Sequence, residues 1–306
     1  MTETATHPPP TITDSAAHPS LGVTDFLLFT MAVIWGINFV VVKYATHIFN
    51  PVAFTGLRVG TAAVFLVLFA FARGRAALPR RDVISLLLLG VIGNGLYQLF
   101  FVHGVARTRA GNASLIVSAA PAFIALFARA RGMERVKRMT LLGIALSVIG
   151  VALVIVGSAQ PSNGEVTLLG SLLVFSGVIL WTVYTILLQP FTKRIDVIRL
   201  SAITMVGGAV PLLIASTPAL IATNWAAVGM GGWLALFYSS VISMVVAYLF
   251  WYRGLRVLGP TRTAVYANLQ PIIALLVAWA FLGETPTIFQ GVGAATIIAG
   301  VFLTRT

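Results

Sequence analysis

The chain carries small polar side chains at helical spacing inside long apolar runs. Ser114 and Ser118 lie four residues apart and therefore share one helix face. A similar run later in the chain places Asn268 on the equivalent face, 150 residues after Ser118. Hydroxyl and amide groups bind by hydrogen bonding, so the two faces predict a polar cavity between two helices. Hydrogen bonds between neighbouring helices are the alternative reading.

A proline lies near the middle of each of these two runs, Pro121 in the first and Pro271 in the second. Proline has no amide hydrogen and clashes with the carbonyl four residues earlier, so it bends a helix. We expect the carbonyls of Val117 and Ala267 to lack their usual partners. Paired interruptions in two halves of a membrane protein point to a central solute site. We interpret both prolines as hinges of such a site.

Aromatic and amide side chains at mid-depth extend this pattern. Trp35 and Asn38 share a face of the first apolar run, and Trp181 and Tyr184 share the equivalent face of the sixth. Aromatic residues near the ends of a membrane helix usually form an interfacial belt, but these lie well inside their runs. They either line a solute cavity or pack as core.

The third and eighth apolar runs supply further candidates. Their mid-depth polar and aromatic residues are Asn94, Tyr97, Gln98 and Tyr248. Polar groups at this depth are costly unless they face protein or water, which favours Asn94 and Gln98 as cavity residues. Trp251 and Tyr252 lie near the predicted end of the eighth run, and we interpret them as belt residues.

Arg58 is the only cation well away from both ends of a predicted span, and Lys43 lies near the outer end of the first. An intramembrane cation suggests a functional site, and a solute carboxylate is a suitable partner for it. The alternative is that both side chains extend to lipid headgroups or bind backbone carbonyls. No carboxylate stands at mid-depth, and His47 and His103 are the only plausible titrating groups near this pathway, so we expect facilitated diffusion or exchange rather than proton coupling.

Residues for bond-making chemistry are missing from the sequence. It has no cysteine, no Gly-x-Ser-x-Gly, no His-Glu-x-x-His and no phosphate-binding loop of the Walker type. Its eight acidic residues fall in predicted tails, loops or helix ends. We therefore expect no enzyme, no primary pump, no cofactor and no metal site.

The candidate residues require helices that cross a lipid bilayer. The 306-residue chain is 58% hydrophobic and only 9% charged, whereas soluble domains carry about 25% charged residues. Runs of about 20 apolar residues predict an all-α integral membrane protein with ten transmembrane helices. The predicted spans are residues 25–46, 51–72, 83–106, 110–131, 138–158, 168–189, 197–220, 229–252, 261–283 and 287–304.

Charge predicts how these spans are oriented. Of the 20 Lys and Arg residues, 16 fall on one predicted side and three on the other. The positive-inside rule then places both termini in the cytoplasm, in the cytoplasmic (inner) membrane. The net charge of +12 is explained by orientation in a membrane, so no nucleic-acid partner is expected. Residues 1–24 contain no Lys or Arg and are predicted to be a disordered cytoplasmic tail.

Two internal repeats set the predicted architecture. Gly104 matches Gly254 and Pro121 matches Pro271 at an offset of 150 residues, and Trp35 matches Trp181 at 146. Each half has an odd number of spans, so the second half must be inverted relative to the first. The predicted units are a first five-helix repeat at 25–158, an outer linker at 159–167 and a second repeat at 168–306.

The sequence resembles the drug/metabolite transporter superfamily in its EamA-type, ten-helix branch. The matching features are Ile34-Trp35-Gly36-Ile37-Asn38-Phe39, Gly56-Leu57-Arg58, the mid-helix prolines followed by Glu134 or Glu284, and glycine-rich fifth and tenth spans. One departure is Gly132-Met133-Glu134, which replaces Leu-Gly-Glu in the first repeat. Within the branch the chain resembles YddG-like exporters of aromatic and other amino acids.

The resemblance implies an exporter of small metabolites, and inverted repeats have the symmetry that alternating access needs. We expect a secondary transporter for amino acids or other small amphipathic metabolites, with membrane lipid as its surroundings and a monomer as the favoured state. An exporter of drugs or organic cations, a channel and a lipid flippase of the same fold remain alternatives.

Overall fold

A computed structural model describes residues 22–72, 78–132, 138–158 and 168–303 of the chain. Most of the predicted tail and the whole of the predicted linker lie outside the described residues. The described part is helical and contains no strand.

The described residues form ten long helices joined by short connections. They are α1 Val23–Ile48, α2 Pro51–Ala72, α3 Arg80–Arg107, α4 Ala110–Ala130, α5 Arg138–Ser158, α6 Leu168–Thr192, α7 Val197–Ile221, α8 Met230–Val257, α9 Pro260–Leu282 and α10 Ile288–Leu303. Eight are long and apolar enough to cross a membrane, and α5 and α10 contain the shorter apolar stretches Leu141–Val156 and Ile288–Gly300. The prediction of ten membrane helices is confirmed.

Four of the helices depart from α-helical geometry, and they do so in pairs. Helix α3 contains a π-helical segment at Val91–Leu96, and α8 contains one at Tyr238–Val246. Helix α4 is interrupted at Ser118 and Ala119, and α9 has a 3₁₀ turn at Ala267–Leu269. The π segments end at residues 150 apart, which is the offset of the sequence repeat. The interruptions therefore fall at equivalent places in two inverted five-helix repeats.

Helix packing follows the same symmetry. Helix α2 packs along α7, α4 along α9, and α5 along α10, so each of these helices meets its own counterpart. The contacts of α3 with α6 and of α8 with α1 form a symmetry-related pair. Helices α1, α3, α4, α6, α8 and α9 thereby surround the middle of the molecule.

Glycine permits the closest of these approaches. A Cβ on Gly150 of α5 would lie 2.6 Å from Cγ1 of Ile297 and 2.9 Å from the carbonyl of Gly293, both in α10. By contrast, a Cβ on Gly291 of α10 would meet no heavy atom within 4 Å. Small residues at such interfaces let backbones pack closely in a membrane, where packing rather than hydrophobicity holds helices together.

The connection between α9 and α10 caps the start of α4. Glu284 accepts hydrogen bonds from the amides of Ala110 and Gly111, at 3.0 and 3.2 Å. Arg109 donates to the carbonyl of Thr285 at 2.5 Å and places its Nε 3.9 Å from Glu284. A carboxylate on the first amides of a helix satisfies groups that have no partner within the helix and interacts favourably with its dipole. The cap therefore joins the second repeat, which supplies Glu284, to the first repeat, which contains α4.

Candidate functional site

A cavity lies at the centre of the molecule, between the two repeats. Its volume is about 40 Å³, which is enough for a few waters. The residues around it are mainly aromatic and aliphatic, with a few polar groups: Trp35, Asn38, Phe39, Arg58, Tyr97, Gln98, Phe101, Val117, Ala120, Ile124, Trp181, Ser243, Tyr248, Trp251, Ala264, Ala267 and Gln270. Seven of the twelve substrate-binding candidates from the sequence are among them.

Arg58 is the only charged residue among the described residues that line the cavity. It comes from the middle of α2, and only 1% of the residue is exposed. Its Nη2 donates to the carbonyl of Ser239 over 3.4 Å, while Nε and Nη1 have no partner among the described groups. The rings of Phe54 and Phe101 lie 5.9 Å from the guanidinium carbon. The guanidinium therefore presents unpaired donors in a desolvated, aromatic setting.

Four aromatic rings form one face of the cavity. Trp35 meets Trp181 edge to face, with ring centroids 5.9 Å apart, and meets Tyr248 in the same way at 5.7 Å. Trp251 lies 5.6 Å from both indoles. Such pairs contribute about 0.5 to 1.5 kcal/mol each beyond the area they bury. Because Trp35 and Trp181 are repeat equivalents in direct contact, the pseudo-twofold axis passes between them.

Two amide side chains lie beside these rings. Gln98 donates to the hydroxyl of Tyr248 at 2.6 Å, and its own Oε1 has no partner among the described groups. Asn38 Oδ1 and the Nε1 of Trp251 are also buried without a described partner. Buried polar groups are normally satisfied, and each exception needs an explanation. The unpaired atoms here are acceptors from two amides and donors from an indole and Arg58.

Carbonyl groups of the π-helical segment of α8 accept hydrogen bonds from two cavity side chains, Arg58 and Trp35. The carbonyl of Ser239 accepts from Arg58, and the carbonyl of Ser243 accepts from the indole of Trp35 at 3.1 Å. Tyr238, which begins the segment, donates to the carbonyl of Ile34 at 3.0 Å. π segments inside α-helices occur frequently at functional sites. Here the segment orients Arg58 and Trp35 toward the cavity.

Asn94 and Tyr184 lie outside the cavity, in a buried polar layer behind its rings. Asn94 is inside the π segment of α3 and donates to the hydroxyl of Tyr184 over 3.5 Å. Tyr184 and Tyr252 share a hydrogen bond of 2.5 Å. The ring of Tyr184 is 5.5 Å from Trp181. These residues support the cavity wall and do not line the cavity itself.

The polar face expected on α4 and α9 does not line the central cavity. Ser114 and Ser118 donate to carbonyls of their own helix, at Gly111 and Leu115. Ser118 lies with Asn268 and Pro271 in a separate small space between α4, α9 and α10. The residues that these two helices present to the central cavity are instead Val117, Ala120, Ile124, Ala264, Ala267 and Gln270. The breaks in both helices change which residues face inward.

The hinge prolines begin the second part of each broken helix. Pro121 and Pro271 stand in the first turn after the break, where a missing amide hydrogen costs little. The expectation of a partnerless carbonyl is corrected for Ala267, since that carbonyl accepts from the amide of Gln270 in a tighter 3₁₀ bond. Val117 and Ala267 themselves do line the cavity.

Two other interpretations need correction, and one cavity residue was not predicted. Trp251 and Tyr252 are buried, at 1% and 0% exposure, and are not belt residues, because α8 continues to Val257 beyond its predicted end. Lys43 does not approach the cavity and donates to the carbonyl of Ala106 at 3.2 Å. Gln270 was missed, although a polar residue beside a mid-span proline is a usable signal.

Comparison with known proteins follows the same division into repeats. The sequence profile of the EamA-like transporter family matches residues 22–156 and again residues 168–306. The chain is similar to the uncharacterized transporter YyaM of Bacillus subtilis (strain 168), with 30% identity over 279 residues covering 90% of this chain and 91% of YyaM. It is 25% identical to the uncharacterized inner membrane transporter YedA of Escherichia coli (strain K12), covering 90% and 88% of the two chains.

A solved crystal structure has the same fold, with a TM-score of 0.66, 18% identity, and coverage of 92% of this chain and 95% of the other. The two profile matches span both repeats, and the relatives align over nearly their whole length. The chain therefore belongs to the EamA-like transporter family and is a multi-pass integral membrane transporter.

Proposed function

We propose that this protein is a secondary transporter that exports aromatic and other amino acids across the cytoplasmic membrane. The central cavity is the substrate site, and rocking of the two repeats exposes it to each side of the membrane in turn. Both termini face the cytoplasm in this proposal, and the working unit is a monomer.

The observation that carries the proposal is the buried guanidinium of Arg58, whose Nε and Nη1 have no partner among the described groups. A buried charge without an ionic partner is costly, and an ionisable group inside the membrane usually marks a functional site. Nε or Nη1, together with the second N–H of Nη2, forms the fork that matches a carboxylate through two hydrogen bonds. A solute carboxylate entering the cavity supplies the missing partner.

The remaining groups suit the other parts of an amino acid. The free oxygens of Asn38 and Gln98 are acceptors for an ammonium group, and the faces of Trp35, Trp181 and Tyr248 attract both cations and aromatic rings. No acidic residue is among the described residues lining the cavity. The amine is therefore held by neutral acceptors and ring faces, which gives loose selectivity for the side chain.

This arrangement supports a zwitterion better than an organic cation. A solute with only a positive charge meets Arg58 with no carboxylate to offset the repulsion. The cavity volume of about 40 Å³ is also tight, so the rings around it have to move apart to admit an aromatic amino acid.

Exchange in proteoliposomes tests the proposal. Vesicles containing the purified protein are loaded with unlabelled phenylalanine and supplied with labelled phenylalanine, alanine, phenethylamine or tetraphenylphosphonium outside. We expect saturable uptake of phenylalanine that accelerates with internal substrate, weaker uptake of alanine, and little uptake of the two cations. Flux without such acceleration indicates a channel, and preference for the cations contradicts the assigned substrate class.

A further inference from the structure

We propose that a groove between α2, α3 and α7 binds an anionic phospholipid, with an acyl chain along the groove and the headgroup phosphate at Arg199. The groove lies on the outer surface of the helix bundle, away from the central cavity. Its lining residues are Val67, Ala70, Phe71, Leu78, Val83, Leu87, Arg199, Ala202, Ile203 and Val206. This inference does not depend on the proposed substrate.

The groove has the shape and polarity of an amphiphile with one charged end. Its volume is about 370 Å³, and nine of the ten described residues that line it are apolar. Arg199, the remaining described lining residue, stands in the first turn of α7, the end of that helix that the charge distribution predicts to be cytoplasmic. A chain of methylene groups fits the apolar part, while an anionic headgroup fits the end that holds the guanidinium.

The charge of the headgroup, more than the acyl chain, decides which lipid is preferred. An acyl chain is surrounded by hydrocarbon both in the groove and in the bilayer, so burial by itself gives no selectivity. A basic residue near the membrane surface attracts anionic lipid, and basic pockets between helices on the cytoplasmic side bind phosphate headgroups. Arg199 therefore favours phosphatidylglycerol over phosphatidylcholine.

The surroundings of Arg199 strengthen this preference. Exposed Arg80 and Arg81 begin α3 on the same membrane face, and Lys193 stands in the turn before α7. Of the acids nearby, Asp82 is engaged with Arg194 at 3.4 Å. The other, Asp196, caps α7 by accepting the amide of Ile198 at 3.0 Å. The five basic residues Arg80, Arg81, Lys193, Arg194 and Arg199 outnumber these two acids, so the described part of this region is net positive.

A second groove at the other end of α7 provides an internal comparison. It has a similar volume of about 340 Å³ and is lined by Ile48, Asn50, Ala219, Ala222, Thr223, Asn224, Ala227 and Val228. None of these lining residues is charged. Lipids in that groove are expected to show no headgroup preference, so preference for anionic lipid should be confined to the groove that contains Arg199.

Lipid titration of the full-length protein in detergent tests the proposal. Thermal unfolding and native mass spectrometry are followed as phosphatidylglycerol or phosphatidylcholine is added. We expect phosphatidylglycerol to bind more tightly and to raise Tm more. In Arg199→Gln its midpoint concentration rises about fivefold, and in Ala70→Leu, which fills the groove but keeps the charge, binding is also weakened.

Arg256→Gln is the matched control, since it removes an exposed arginine outside the groove. It should bind phosphatidylglycerol like the unmodified protein, and glycerol 3-phosphate alone should have no effect. Equal binding of the two lipids overturns the proposal. So does a loss in Arg256→Gln as large as in Arg199→Gln, unchanged binding in Ala70→Leu, or full stabilisation by glycerol 3-phosphate.

Discussion

Replacing Arg58 by Gln should abolish tight recognition of carboxylate-bearing solutes while leaving the fold intact. The guanidinium is 1% exposed, and its single described hydrogen bond, to Ser239, is long at 3.4 Å. Typical N–H···O distances are about 2.9 to 3.0 Å, so this bond contributes little to holding α2 against α8. Nε and Nη1 contribute no described bond at all.

The expected magnitude follows from those free donors. A hydrogen bond to a charged group contributes about 1.5 to 3 kcal/mol, and each 1.4 kcal/mol is a tenfold change. Apparent KM for phenylalanine should therefore rise roughly 10- to 150-fold. Stability should be unchanged or slightly higher, because removing a buried charge without an ionic partner breaks no ion pair and removes a desolvation cost.

Two comparisons make the result specific to the carboxylate. Arg58→Lys keeps the charge but loses the two-pronged geometry, so it should fall between the unmodified protein and Arg58→Gln. Phenethylamine has the ring and amine of phenylalanine without the carboxylate. Its weak exchange should be unaffected by Arg58→Gln, or should improve because the repulsion is gone. Proteoliposome exchange measures the apparent KM and thermal unfolding measures Tm, both on one preparation of each variant.

The opposite pattern refutes the reasoning. If Arg58→Gln keeps the unmodified KM for phenylalanine and loses several degrees of Tm, Arg58 is a structural residue and the substrate carboxylate binds elsewhere. Equal losses for phenylalanine and phenethylamine also exclude a carboxylate contact, since only one of the two solutes has that group.

Three further changes test other parts of the structure by thermal unfolding, and a fourth tests orientation. Tyr248→Phe removes an interhelical hydrogen bond of 2.6 Å and should cost about 0.6 to 1.7 kcal/mol; no change in Tm would exclude that bond. Gly150→Val should cost about 1 to 3 kcal/mol through overpacking, whereas Gly291→Ala, with open space around it, should be neutral. Glu284→Ala removes the cap on α4 and should cost about 0.5 to 2 kcal/mol. Reporters fused to either terminus should be active only in the cytoplasm, and activity on the other side reverses the assigned orientation.

Hydropathy located the ten helices because each crosses hydrocarbon and has to be apolar along its length. The ends of the helices were predicted less well. Helix α8 reaches Val257, five residues past its predicted end, and the prediction stopped early because the last turns carry Arg253 and Arg256. Counting apolar residues stops at such charges, although the helix continues through them. That is why Trp251 was placed at the membrane surface.

The inward face of a broken helix could not be predicted from a regular period. Counting by 3.6 residues from Pro121 selects Ser118 and Ser114, but the break at Ser118 and Ala119 turns Val117 and Ala120 inward instead. The same limit applies to Asn94, which a π segment turns toward Tyr184. Arg58 and Trp35 were found because a cation or an indole at mid-depth in a membrane helix is unusual, whichever direction the rest of the helix faces.

The contact between Gln98 and Tyr248 has a consequence for energetics. These residues are 150 apart, so each occupies the other's position in the opposite repeat. In a molecule of two identical halves, conformations exchanged by the twofold would have equal free energy by symmetry. Here the amide of Gln98 donates to the phenol of Tyr248 at the axis. Exchanging the halves would put a phenol where the amide is, so the two conformations no longer have equal free energy. Under the proposed alternating access, residues on the axis therefore contribute directly to the difference in free energy between the inward-facing and outward-facing conformations.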